Sequence, residues 1–149
     1  MNNYLTITKI FNIEMAHALW NYNGKCRHVH GHSYVLHVTI GGKPMNQTTH
    51  PNDGMLMDFT DLKKIIKEHI VDVFDHALVL NANASSHNLI PETPPFDNII
   101  KVPFQPTCEN LTLYFAKILQ KLLPKHVVLH GLTLYETASA YVKWENPLV

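Results

Sequence analysis

The chain has only two cysteines, Cys26 and Cys108, in 149 residues, and a single arginine, Arg27. Two thiols cannot build a disulfide scaffold, and in a reducing compartment they stay free. Neither sign of charge predominates: Lys plus Arg and Asp plus Glu number 12 each, with a pI near 7.2. That balance excludes the basic footprint of a protein that binds nucleic acid or an anionic membrane. No apolar run approaches the length that spans a bilayer, and the opening residues Met1-Asn2-Asn3-Tyr4-Leu5 lack a basic segment followed by an apolar one. A cytoplasmic protein is expected. No break in composition marks a second domain, and 46% hydrophobic residues suffice for one core over 1–149.

Histidine is plentiful, 11 residues in all. Cys26-Arg27-His28-Val29-His30-Gly31-His32 places three of them at alternate positions with a cysteine upstream. On an extended strand, residues two apart point the same way, so His30 and His32 can offer two imidazoles to one ion, with Gly31 leaving the space between them clear. His17 follows the alternating run from Tyr4 to Phe11, a candidate partner strand. Three histidines with a fourth position open form the ligand set of a catalytic zinc. Two other arrangements use the same stretch: Cys26 as a fourth ligand in a closed structural site, and His28 in place of His17. Spacing leaves all of these open. A cupin-like metal oxygenase fits less well, because no glutamate follows His32 at the short spacing its triad uses.

Periodicity predicts strands over 4–16 and 32–41, with Tyr34, Leu36, Val38 and Ile40 on the face of His32. It predicts a helix from an Asp58 N-cap to Phe74, with Leu62, Ile65, Ile66, Ile70 and Val73 on one face. Residues 81–106 read as a polar, proline-bearing loop with a short strand at 99–102. A second helix starts at Thr107, carries Glu109 in its first turn, runs through Leu111, Tyr114, Phe115, Ile118 and Leu122, and stops at Pro124. Residues 127–137 and 140–144 form a closing hairpin. The order ββααββ predicts an α+β domain in which two helices cover one face of a four-stranded antiparallel sheet.

Six stretches occur in order: Glu14-Met15-Ala16-His17, Cys26-x-x-x-His30-Gly31-His32, Met57-Asp58-Phe59-Thr60-Asp61-Leu62-Lys63, Phe74-Asp75-His76-Ala77-Leu78, Pro106-Thr107-x-Glu109-Asn110 and Tyr135-Glu136-Thr137. Together they resemble the motifs of the 6-pyruvoyl-tetrahydropterin synthase and 6-carboxytetrahydropterin synthase family, over almost the whole chain. The resemblance implies the tunnelling fold and a homo-oligomer, usually a hexamer of two trimers. It implies zinc on His17, His30 and His32, with Cys26 as proton acceptor rather than ligand. A hydroxyl held by zinc is acidified, and a nearby base must take the proton of the adjacent carbon. A free thiol is a poor base until a neighbour lowers its pKa. The resemblance makes Asp75 and His76 the relay to that thiol, supplied by the neighbouring subunit. It makes Glu136 the anchor of the pterin and a member of the relay, with Thr107 and Glu109 lining the same pocket.

The residues alone give plainer readings: Asp75-His76 as a solvated helix end, Glu136 as an exposed hairpin carboxylate. For Glu136 the chemistry is suggestive, since a pterin edge presents two donors side by side, as a guanidinium does. Arg27, and more weakly Lys25, suits a triphosphate. Cys108 reads as packing.

Three residues separate Cys26 from His30, a spacing similar to that of the bacterial 6-carboxytetrahydropterin synthases of queuosine biosynthesis. The reaction so implied converts 7,8-dihydroneopterin triphosphate to 6-carboxy-5,6,7,8-tetrahydropterin, acetaldehyde and triphosphate. The alternatives are the pyruvoyl synthase, which eliminates triphosphate without releasing acetaldehyde, and a non-catalytic structural zinc module. Two features depart from the family pattern: the long 81–106 region, and Met15 at a position where a smaller residue is common.

Overall fold

A computed structural model describes residues 3–149. Two long strands form its spine, β1 (Leu5–His17) and β2 (His30–Gly42), paired antiparallel over their full length with His17 opposite His30 and Met15 opposite His32. β5 (Val127–Thr137) adds to β2, and β6 (Ala140–Glu145) closes the hairpin beyond it. On the other side, β3 (Leu78–Asn81) runs parallel to β1, and β4 (Ile99–Val102) parallel to β3.

The sheet therefore has six strands in the order β4-β3-β1-β2-β5-β6, not four, and it is mixed rather than purely antiparallel. The element order is ββαββαββ. The strand expected at 99–102 is β4. β3 escaped because Leu78-Val79-Leu80 does not alternate; a short apolar run buried on both faces carries no period.

Asp58 caps α1 (Phe59–Ile66), its Oδ1 accepting from the Thr60 backbone N–H at 2.6 Å. The helix continues through a widened π turn (Lys67–Val71) and a last turn, α2 (Asp72–Phe74). Leu62, Ile66 and Ile70 are fully buried as expected, but Val73 is 45% exposed and Phe74 takes its place in the core. The widened turn absorbs one extra residue, so the buried face advances by one position. Thr107 caps α3 (Cys108–Leu122), accepting from Asn110 N–H. Leu111, Phe115 and Leu119 fill its buried stripe, while Leu122 lies at the surface.

Phe74 meets Phe115 edge-on, with ring centroids 5.0 Å apart. Both helices thus join one cluster with Ile13, Tyr34, Leu36 and Val38 on a single face of the sheet. Each such side chain contributes about 1.5–3 kcal/mol by leaving water. The opposite face, with Thr8, Ile10, Asn12 and Glu14 exposed along β1, has no helix against it among the described residues.

Candidate metal centre and active site

His17, His30 and His32 converge, each offering one nitrogen within 4.8 Å of the others'. The geometry follows from the register. His17 and His30 are cross-strand partners, and His32 is the next residue along β2 with the same parity. Backbone carbonyls fix two of the rings: His17 Nδ1 lies 2.7 Å from the Pro106 carbonyl, and His30 Nδ1 2.7 Å from the His28 carbonyl. With Nδ1–H donating outward in both, the Nε2 atoms turn inward, 3.1 Å apart. Such outer hydrogen bonds set the tautomer of metal-ligating histidines. Burial holds the His17 imidazole below the ordinary histidine range, so it stays neutral with its lone pair free. Three imidazoles on rigid strands fit a zinc ion with a fourth position open. Cys26 lies outside the cluster. His28 also lies outside it; its ring is exposed and accepts from Arg27 Nε at 3.3 Å.

Glu136 faces the histidines from β5. Its Oε1 is 3.8 Å from both His17 Nε2 and His32 Nε2, and Tyr34 donates its hydroxyl to the same oxygen at 3.3 Å. Tyr34 is fully buried beneath the cluster, edge-on to His17 and His32, and burial followed by the Glu136 charge pushes its phenol upward, keeping it protonated. Sequence reading placed Tyr34 on this face and gave it no task. The signal was present: it continues the parity of His30 and His32.

Cys26 sits half-buried in the short 3-10 turn Lys25–Arg27, whose carbonyl at Cys26 accepts from Leu19 N–H at 2.9 Å. It lines a cavity of about 310 Å³ together with His17, Thr107, Glu109 and Glu136. Five of the candidate residues are thus brought to one place. The cavity sits at the head of α3, and Gln105 clamps the approach to it by a double hydrogen bond with the Trp20 backbone. Cys108 shares the cavity wall; it is buried, donates to the Leu134 carbonyl at 3.4 Å, and burial pushes its thiol up to about 12. It is a packing residue, as its sequence context implied.

Arg27 and the Asp75-His76 pair lie elsewhere. Arg27 lines a neighbouring polar cavity. Asp75 accepts from Glu14 N–H at 2.8 Å and from His76 Nδ1 at 2.9 Å; the first of these bonds, then the second, holds its carboxyl below the usual range. His76 has left-handed backbone (φ 60°), and its ring, 77% exposed, opens onto a cavity of about 390 Å³ lined by His32 and also by Glu14, Gly31 and Ser33. Those last residues belong to the sheet face that no helix covers. Met15, by contrast, is buried in the core.

Comparison with known proteins agrees with this architecture. A family profile described as 6-pyruvoyl tetrahydropterin synthase matches residues 6–147, and the chain belongs to that family. It is 30% identical over 142 residues to the 6-carboxy-5,6,7,8-tetrahydropterin synthase of Haemophilus influenzae, covering 94% of this chain and 98% of that one. It is 34% identical over 125 residues to the 6-pyruvoyl tetrahydrobiopterin synthase of Pongo abelii, covering 83% and 72%. Among solved structures, the 6-pyruvoyl tetrahydropterin synthase of Plasmodium falciparum superposes with a TM-score of 0.74 at 20% identity, covering 97% of this chain and 99% of that one.

Proposed function

We propose that this protein is a zinc-dependent 6-carboxytetrahydropterin synthase. It converts 7,8-dihydroneopterin triphosphate to 6-carboxy-5,6,7,8-tetrahydropterin, acetaldehyde and triphosphate, a step of queuosine biosynthesis in the cytoplasm. The observation that carries the reading is the convergence of His17, His30 and His32 beside a cavity lined by the half-buried thiol Cys26 and the carboxylate Glu136. The three-residue spacing from Cys26 to His30 favours the carboxy over the pyruvoyl product.

Zinc, held by His17, His30 and His32, would acidify the substrate's side-chain hydroxyls and stabilise enolate-like charge. Glu136 accepts the paired donors of the pterin edge, and Thr107 and Glu109 line that end of the site. Cys26 takes and returns protons at the side-chain carbons, and His76, oriented by Asp75, exchanges them with solvent. Because His76 opens onto the uncovered face of its own sheet, the relay to Cys26 comes from a second copy of the chain. The catalytic unit is then a homo-oligomer, which the family resemblance makes a hexamer of two trimers.

The test is incubation of zinc-loaded protein with 7,8-dihydroneopterin triphosphate, the pterin product being identified by mass and acetaldehyde assayed alongside. A carboxy product with acetaldehyde is expected. A pyruvoyl product without acetaldehyde would assign the sister reaction, and no turnover would overturn both. Cys26→Ala should abolish turnover while zinc content and Tm stay within about 2 °C of the parent; joint loss of zinc and stability would point to a closed structural site.

A further inference from the structure

His76 holds a left-handed backbone, φ 60°, with a full side chain on it. A residue with a Cβ enters that region at a cost and stays there only where its surroundings over-determine it. Three backbone bonds fix the approach: Asp75 N–H donates to the Val71 carbonyl at 2.8 Å, His76 N–H to the Glu14 carbonyl, and Ala77 N–H to the Phe74 carbonyl at 3.1 Å. They leave the carbonyl of His76 itself. It accepts from Asn98 Nδ2 at 3.1 Å, the one side-chain bond to the His76 backbone among the described residues. A carbonyl only accepts, so the Asn98 amide must turn its nitrogen toward it. The sheet holds Asn98 in place for this contact. Its own carbonyl accepts from Leu78 N–H at 3.0 Å, and the next residue, Ile99, opens β4 opposite Leu78. Pro95 and Phe96, just upstream, wall the cavity onto which the His76 ring opens.

We propose that Asn98 is a positioning residue for the proton relay: it clamps the left-handed His76 peptide, and through it the 81–106 region sets where the relay imidazole stands. The inference rests on the pterin-triphosphate reading and deepens it. Asp75 fixes which way the ring faces, through Nδ1, whereas the peptide fixes where the ring is. Without Asn98 the His76 peptide relaxes toward the right-handed region that such residues prefer. The ring then swings off Asp75, and proton transfer slows because it depends on short, aligned contacts. Asn98 acts only through His76, so substrate binding is unaffected. Its bond is exposed to solvent, so overall stability depends little on it.

The test measures kcat and KM of the zinc-loaded full-length protein on 7,8-dihydroneopterin triphosphate. Asn98→Ala should lower kcat about threefold to tenfold, the effect of one lost hydrogen bond at the relay. Its KM should stay within about twofold of the parent, with zinc content and Tm unchanged. Asn98→Gln, which keeps an amide donor at an exposed position, should retain at least about half of the parent kcat. Mixed oligomers separate positioning from general packing. When Cys26→Ala chains are reassembled with His76→Ala chains, Asn98→Ala added to the Cys26→Ala chain, which supplies the working His76, should cut the recovered activity by the same factor. Added to the His76→Ala chain, it should not. Equal loss in both placements, or an unchanged kcat in Asn98→Ala, would overturn the clamp and leave the pterin reading standing. A parent that turns over no substrate would overturn both.

Discussion

Tyr34 illustrates how one residue links core and chemistry. Its ring packs beneath the histidine cluster and its hydroxyl fixes one oxygen of Glu136. Tyr34→Phe keeps the packing and removes the tether, so pterin affinity should fall about threefold to tenfold with zinc content unchanged, measured by fluorescence titration and metal analysis. His17 bears on pH dependence. Burial lowers its folded pKa below the ordinary value of 6.5, so the unfolded chain takes up this proton more readily than the folded one. Its contribution to stability is present above pH 6.5 and is lost as pH falls through the folded pKa. The Tm of metal-free protein should therefore decline between pH 7.5 and 5.5, and less steeply in His17→Asn, as followed by thermal scans. At this scale the sequence was most informative. Two-residue spacing is enough to put His30, His32 and Tyr34 on one face, whereas no periodicity places Glu136 beside them, because that contact crosses from β2 to β5; only the motif resemblance assigned it to the pocket.

Elements were legible where a period or a cap marks them. Asp58 caps the first long helix as expected, Thr107, expected as the start of the second, caps it, and β5 and β6 form the expected hairpin. Thr107→Ala should cost about 1 kcal/mol, a fall in Tm of about 2–4 °C. It should also weaken pterin binding because the cap stands at the head of the site; Thr107→Ser should restore both. What periodicity could not supply was β3, which pairs through its backbone without an amphipathic signature. The π turn is equally silent, since Lys67-Glu68-His69-Ile70-Val71 reads as ordinary helix. Its effect is local but consequential: Phe74 packs on Phe115, and the chain leaves the helix at Asp75-His76, held by two backbone contacts to Glu14.

For the whole molecule, the decisive feature is that the helices cover one face of the sheet only. Cys26 and His17 line the cavity at the head of α3, and His76 lies against the bare face, in a cavity that His32 also lines. Cys26→Ala and His76→Ala, each inactive alone, should therefore regain activity when mixed and reassembled, to about a quarter of the wild-type value if chains assort at random. No recovery in proven mixed oligomers would show that each chain carries its own relay. The same division has a genetic consequence. A chain lacking both Cys26 and His76 would spoil the centres it shares with intact partners, so equal amounts of the two would silence about three-quarters of the sites instead of half. A defective copy of such a gene would behave as a dominant poison rather than a recessive loss.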